Sequence, residues 1–598
     1  METLSDLYRA FPDLPRFPLG DGLELVYSPL TGAAHTLSAQ NVALLQTCRT
    51  FAALEDHAAR LGREHNLPPG QGKAIREALA ALARAGLLTS RSDLTARCLR
   101  RFGPPESPPR IAVVGIPTRG RPDALRRCLE SHLESGRRHG RAVEYVVIDG
   151  SPDAETRRSI REMLQSHRDR FRADVFYAGP EEKECYVREL ARAGAPEEAA
   201  RFALLNPEGF AVTTGGSRNA LLLHAAGDLL LQVDDDTLCR VAPPPETRPG
   251  LAFSSRHDPT EFWFPAEGRE AAEADDDLLA VHERLLGRSL ADCAADAEPD
   301  LDDANSGFFR KLERNDGRVL VTSAGVAGHS GMGSSLYFLS LEGASRARLL
   351  ASEETYRRAL THHQVVRTVV RPTVCEGAYC MALNLGLDHR RPLPPFLPVQ
   401  RNQDGVFAVL LRVCRDDGFF GFLPGGAAHA PPEPRSLPAD DLLRGAAGLR
   451  SSQMVQAFLT SLPSPTDLPT VGRTLAEWAA LPQAEFEEVL RLRVWVAMSR
   501  LGGRLADLLK RYGGEPRFWA DDVRGVLAVF REAMPRREYM VPADLGAWCG
   551  TAAAERFRRL VLQFGRLLQS WPAIVEAARD LRVRGVRLAV PAGPPTVL

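Results

Sequence analysis

Three consecutive acids, Asp234, Asp235 and Asp236, follow directly on the apolar run LLLQV in this 598-residue sequence. Ligands of open α/β sheets bind at the carboxyl ends of the strands, where this triplet falls. Carboxylate oxygens there suit Mg2+ or Mn2+, and such a cation neutralises a diphosphate so that it can leave. A solvated acidic loop is the plainer alternative. Just upstream, TTGGSRNALLLHAAG sets Gly215 and Gly216 at the start of a helix. Its free backbone N–H groups can face a diphosphate, with Arg218 and Asn219 in the first turn.

Other polar residues stand at similar junctions. In GIPTRGRP a buried strand ends in Pro117, Thr118 and Arg119 and gives way to a helix, a loop well placed to meet a nucleotide. In YVVIDGSPD, Asp149 closes the next strand; it can accept from a base N–H, or it can form a turn or cap a helix. Asp404 precedes GVFAVLLRV as a candidate N-cap, and His429 lies on the glycine- and proline-flanked loop FLPGGAAHAPP. The run GHSGMGSS at 328–335 lacks the strand and long helix of a dinucleotide fingerprint but is placed to border an acceptor.

The elements that must position these residues fall into three stretches. Residues 1–100 read as a hairpin (LELVYS and AAHTL joined by PLTG) and three helices. Ser38 is the expected N-cap of the first, Thr50 of the second, and Ala74–Ala85 the third, before the short run GLLTS. The prolines of FGPPESPPR, at 104, 105, 108 and 109, end this unit. From 110 to 438, apolar runs alternate with amphipathic helices, the pattern of an α/β fold with a mainly parallel sheet covered on both faces. Within it, 240–330 is rich in acids, Pro and Gly with room for a long insertion, and SLYFLSL and QVVRTVVRP read as strands. From 439 to 598 the chain is helical, with Phe557, Leu560, Val561, Phe564, Leu567 and Leu568 on one face.

Length implies several domains, and 44% hydrophobic with 25% charged residues describes an ordinary globular chain. A net charge of -1 gives no bulk attraction to nucleic acid or an anionic membrane. The acidic start METLSDLYRAFPDLPRF and the lack of an apolar stretch of ~18 residues point to a cytoplasmic protein with no membrane partner. The ten cysteines are scattered, and Cys375 and Cys380 lack the companions of a zinc site, so they are expected as reduced thiols.

In order and spacing, the motifs over roughly 110–430 resemble family 2 glycosyltransferases of the GT-A fold. The resemblance implies a nucleotide-sugar donor bound by Pro117, Thr118, Arg119, Asp149, Gly216, Arg218, Asn219, Asp234 and Asp235. It places Asp149 on the base, Asp234 toward the ribose, and Asp236 with His429 on Mn2+ or Mg2+. Imidazole modestly favours manganese. Asp404 matches the acid that deprotonates the acceptor, although Gln403 stands where a glutamate is usual. Residues 1–100 resemble PqqD-like winged-helix domains, which implies a precursor peptide as partner and a Ser, Thr or Cys side chain as acceptor, the peptide adding as a strand. A DNA-binding winged helix is disfavoured by Glu55 and Asp56 and by the absence of a basic recognition helix. The alternatives are a carbohydrate or small-metabolite acceptor, or a non-catalytic scaffold that binds a peptide. A nucleotidyltransferase would need a GxGxR loop, which IPTRGRP does not supply.

Overall fold

The computed structural model describes residues 6–28, 30–64, 68, 71–98, 106–265, 277–433, 436–438, 440–545 and 551–593. Pro29 of the hairpin turn, the linker residues Pro104 and Pro105, and Ala439 lie outside the described residues.

The sheet grows from the apolar runs. Val113, Val114, Ile116, Val146, Val147, Leu230 and Leu231 are at most 1% exposed, so both faces of their strands are covered. Ile111–Thr118 pairs in parallel with Glu144–Asp149 on one side and Leu229–Val233 on the other, and Val175–Ala178 extends the parallel block. Helices Pro122–Arg138, Ala154–Phe171 and Thr214–His224 connect these strands. Beyond Leu229–Val233 comes antiparallel Asn384–Asp388, then the long strands Arg318–His329 and Gly418–His429, which run parallel to each other. Among the described residues this sheet has 14 strands, and the protein is of the expected α/β class.

Two local expectations are corrected. Region 240–330 is not one long insertion: Leu251–Ser254, Pro299–Asp303 and Arg318–His329 are strands of the central sheet. SLYFLSL is not a strand but holds the short helix Leu336–Leu339, which buries Phe338 and Leu339. A short apolar run carries no period that separates the two states. By contrast, QVVRT forms the strand Gln364–Thr368.

The N-terminal stretch forms the antiparallel sheet Arg16–Gly20, Leu23–Tyr27 and Ala34–Ser38, followed by helices Ala39–Thr47, Leu54–Glu64 and Gln71–Arg84. The Ser38 side chain accepts from the Asn41 N–H as the expected cap. The second helix starts at Leu54, not after Thr50, because Ala52 is held in a bridge to Tyr8. Thr89–Ser90 pairs with Tyr8–Arg9. This stretch seats on the central unit through Phe11 against Phe309, the Arg97 guanidinium on Glu313 at 2.9 and 3.0 Å, and the Ser306 hydroxyl donating to Asp13 at 2.7 Å.

The helices Leu468–Ala480, Gln483–Arg511, Arg517–Ala533 and Thr551–Val583 share one continuous apolar core with the sheet. The six-residue face from Phe557 to Leu568 is buried as its spacing predicts. Trp571 Nε1 donates to the Leu393 carbonyl at 2.7 Å, and Val590–Pro591 pairs antiparallel with Val175–Ala178. Among the described residues no helix is long and apolar enough to cross a membrane. Cys375 and Cys380 are buried free thiols.

Candidate active site

A cleft of about 1050 Å³ opens at the carboxyl ends of Ile111–Thr118 and Leu229–Val233. Pro117, Thr118, Arg119, Arg121, Arg218, Asp234, Asp236, Asp404 and His429 line it together.

The acidic triplet is splayed by a tight turn. The Asp234 N–H donates to the Leu383 carbonyl and the Thr237 N–H to the Asp234 carbonyl, each at 3.0 Å. The three carboxylates therefore find different partners. Arg218, almost fully buried, donates to Asp234 Oδ1 at 2.5 Å and to Gln232 at 3.2 Å. Burial pushes the Asp234 carboxyl up, with Arg218 pulling against it. Asp235 is buried behind the cleft, where its Oδ2 accepts from the Thr118 hydroxyl at 2.7 Å and its Oδ1 meets the Arg121 guanidinium. Burial raises Asp235 to about 7; Arg121 opposes that shift and Asp236 adds to it. Asp236 has Arg121 on Oδ2 at 2.8 Å and His429 Nε2 facing Oδ1 at 3.3 Å.

Strand register brings His429 to this point. It lies opposite Thr237 in one pairing and beside Gly328 in the other. Its Nδ1–H donates to the His329 carbonyl at 2.5 Å, which aims Nε2 at Asp236. Burial lowers the basicity of this imidazole, but the hydrogen bond and charge of Asp236 outweigh it and the ring titrates above its ordinary value. A ligand nitrogen whose other ring nitrogen is tied to a carbonyl is a common arrangement at metal centres, so the Asp236–His429 pair fits a divalent cation. Among the described residues no three His, Cys, Asp or Glu side chains gather to hold an ion alone. A cation here would need further ligands from outside the chain.

Asp404 is not the helix cap. Asn402, left-handed at φ 64°, caps Gln403–Cys414, and Asp404 sits in the first turn. Its Oδ2 accepts from the Ala382 N–H at 3.1 Å and its Oδ1 from the Gly405 N–H at 3.0 Å, and the side chain borders the cleft. Gln403 borders it too. Arg119 reaches back to the Ala211 carbonyl at 2.7 Å. Asp149 is buried, accepting from the Ser151 N–H at 2.7 Å and the Tyr177 hydroxyl at 3.0 Å, so that Gly150 rather than Asp149 faces the cleft. Lys183, buried close by, is pushed down to about 8 by burial against the pull of Asp149.

Gly216 and Asn219 stand behind the cleft wall instead of on it. The Gly216 N–H, expected to be free for a phosphate, donates to the Pro398 carbonyl at 2.8 Å. A Cβ on Gly215 would meet the Leu397 carbonyl oxygen at 1.8 Å. Asn219 donates to Phe396 and Ala203 carbonyls at 3.0 and 3.2 Å and accepts from the Phe396 N–H at 2.8 Å. Gly215 thus admits the backbone of 396–400, the segment leading to Asp404, and the Gly216 N–H and Asn219 pin it.

Sequence reasoning missed Arg121, whose only signal is a cation just before a helix-opening proline. The glycine-rich run at 328–335 was expected at a border of the site, but the residues beyond it on the far wall were missed. The 330–335 loop borders the cleft, its Ser330 and Ser335 hydroxyls meeting the two ring nitrogens of His363 at 3.1 and 2.9 Å. Arg450 donates to the Gly333 carbonyl at 2.8 Å, and Arg444 and Gln453 continue that wall. No sequence pattern joins such distant segments.

No protein-family model and no curated protein matches the chain. Among solved structures it is similar to S. aureus TarS 1-349, at 11% identity and TM-score 0.29, over 71% of this chain and 91% of that one. It is similar to the mannosyltransferase PcManGT from Pyrobaculum calidifontis in complex with GDP-Man and Mn2+, at 12% identity and TM-score 0.28, over 74% and 92%. A heterocyclase in complex with substrate and cofactor aligns over 29% of this chain and 23% of its own, at 18% identity and TM-score 0.11. TM-scores this low establish neither a shared fold nor a shared activity.

Proposed function

We propose that this chain is a metal-dependent, inverting glycosyltransferase of the family 2 type, moving a sugar from a nucleoside diphosphate, UDP foremost, to an acceptor. The observation that carries this reading is the meeting of Asp234, Asp236, His429 and Asp404 in one cleft. Asp236 and His429 would hold a divalent cation, Mn2+ or Mg2+, which would supply neutralising charge to a diphosphate. Arg218 holds Asp234 toward the ribose hydroxyls, and Arg119 faces the diphosphate. Gly150 borders the side of the base, with Asp149 and Lys183 buried behind it. Asp404 takes the proton from the acceptor hydroxyl or thiol as that atom attacks the anomeric carbon opposite the leaving group, which inverts the configuration.

The 330–335 loop and the Arg444–Gln453 wall border the acceptor side. A precursor peptide as acceptor is supported by the N-terminal sheet, whose strand Arg16–Gly20 is exposed at every residue and carries Phe17 and Leu19 outward. Such an edge accepts a further strand. The test is Asp236→Ala in a nucleoside-diphosphate release assay with a nucleotide-sugar panel, alongside intact mass measurement of candidate peptides. Release is expected to vanish in the variant, and undiminished turnover refutes the reading.

A further inference from the structure

Arg121 occupies the carboxylates that a divalent cation would use. It precedes the helix Pro122–Arg138, makes no side-chain cap there, and turns instead into the cleft. One guanidinium nitrogen meets Asp235 Oδ1 and the other lies 2.8 Å from Asp236 Oδ2. With Arg218 on Asp234, the resting triplet is already paired with two fixed cations. His429 points at the other oxygen of Asp236.

Resting on the metal-site reading above, we propose that Arg121 is a resident counter-cation: it competes with the divalent ion for Asp236 and passes to the donor diphosphate when that ion arrives with its nucleotide. The physical reasons are three. A divalent ion sharing Asp236 with a guanidinium at hydrogen-bond distance meets like-charge repulsion in a half-enclosed cleft, where charges are weakly screened. Arg121 is more than a third exposed and has the long, planar fork that pairs with phosphate oxygens, so it has somewhere to go. Finally, Asp235 keeps the hydrogen bond from the Thr118 hydroxyl at 2.7 Å when the arginine leaves, so that this buried carboxyl is not left without a partner. The bare ion is then bound weakly and the ion–nucleotide pair well, which favours loading of the two together.

The test is binding of Mn2+ alone, without nucleotide, followed by the electron paramagnetic resonance of the free ion. Arg121→Gln is expected to bind Mn2+ at least about tenfold more tightly than the parent, a difference of about 1.4 kcal/mol. Arg121→Lys, which keeps the charge, should stay within about threefold of the parent. The double variant Arg121→Gln/Asp235→Asn removes the acid stranded by the first change and should show the same gain, so a folding defect of the single variant does not decide the matter. Equal or weaker Mn2+ binding in the Gln variants overturns the proposal. If Asp236→Ala abolishes Mn2+–UDP binding in the parent at the same time, the metal-site reading stands without it. Mn2+ binding that ignores Asp236→Ala overturns both.

Discussion

Replacing Gly215 with alanine separates two roles for the glycine pair. The added Cβ would lie 1.8 Å from the Leu397 oxygen, 2.8 Å from its carbonyl carbon and 3.0 Å from the Pro398 carbonyl carbon. All three are backbone atoms, so no side chain can swing aside and the 396–400 segment must retreat by roughly 1 Å or more. Retreat strains the Gly216-to-Pro398 bond at 2.8 Å and the Asn219 bonds to Phe396 at 2.8 and 3.0 Å. Overpacking of about 1–3 kcal/mol and the weakening of one or two buried hydrogen bonds at about 1 kcal/mol each give a destabilisation of about 2–5 kcal/mol. Urea unfolding followed by tryptophan fluorescence reads it, since Trp571 is bonded to Leu393 of the same stretch. Transfer should fall with it, because the segment leads into Asp404, while UDP–Mn2+ affinity changes by less than about threefold in protein that remains folded. Loss of nucleotide affinity at unchanged stability would refute this account and return the glycines to the diphosphate.

Two further outcomes are expected. Asp404→Asn should retain donor and metal binding by calorimetry while transfer drops about 10²–10⁴-fold, the usual contribution of a general base; an unaffected rate removes Asp404 from the chemistry. Glu144 supplies a pH-dependent term: burial pushes its carboxyl up, but the hydrogen bonds and charges of His224 and Arg587 outweigh burial and hold it at about 2, against an ordinary 4.5. Because the folded value is depressed, the stability is fully present above about pH 4.5 and is lost as pH falls toward 2, amounting to about 2–3 kcal/mol. Glu144→Gln should lower the neutral-pH stability by a similar amount and flatten the acid limb of the unfolding profile; an unchanged limb contradicts it.

What could be read from the chain depended on whether the signal was local. Uninterrupted apolar runs such as IAVVGIP and LLLQV specify strands covered on both faces, and an acid directly after such a run must emerge at the strand end, so Asp234 and Asp236 were legible. The buried stripe from Phe557 to Leu568 was legible for the same reason, its period being helical. The glycines before SRN were misassigned because sequence does not say which carbonyl an amide will meet, and here that carbonyl belongs to Pro398. SLYFLSL was too short to reveal its period. His429 reaches Asp236 through the register of Gly418–His429 against Thr237–Ala242, a pairing that no local pattern encodes. Asp404 was visible as an acid at a helix start, yet only the left-handed Asn402 shows that the cap is another residue.

The pairing of Val590–Pro591 with Val175–Ala178 bears on how the chain is made. The outer strand of the parallel block exposes unpaired amides and carbonyls until this short partner arrives, and Arg168 waits on the Ala592 carbonyl, 424 residues further along. A nascent polypeptide emerging from the ribosome must therefore carry an open β-edge while some four hundred further residues are made, the state most prone to sticking to other chains. Docking of Val590–Pro591 closes it, acting as a seal on the outer strand of the parallel block.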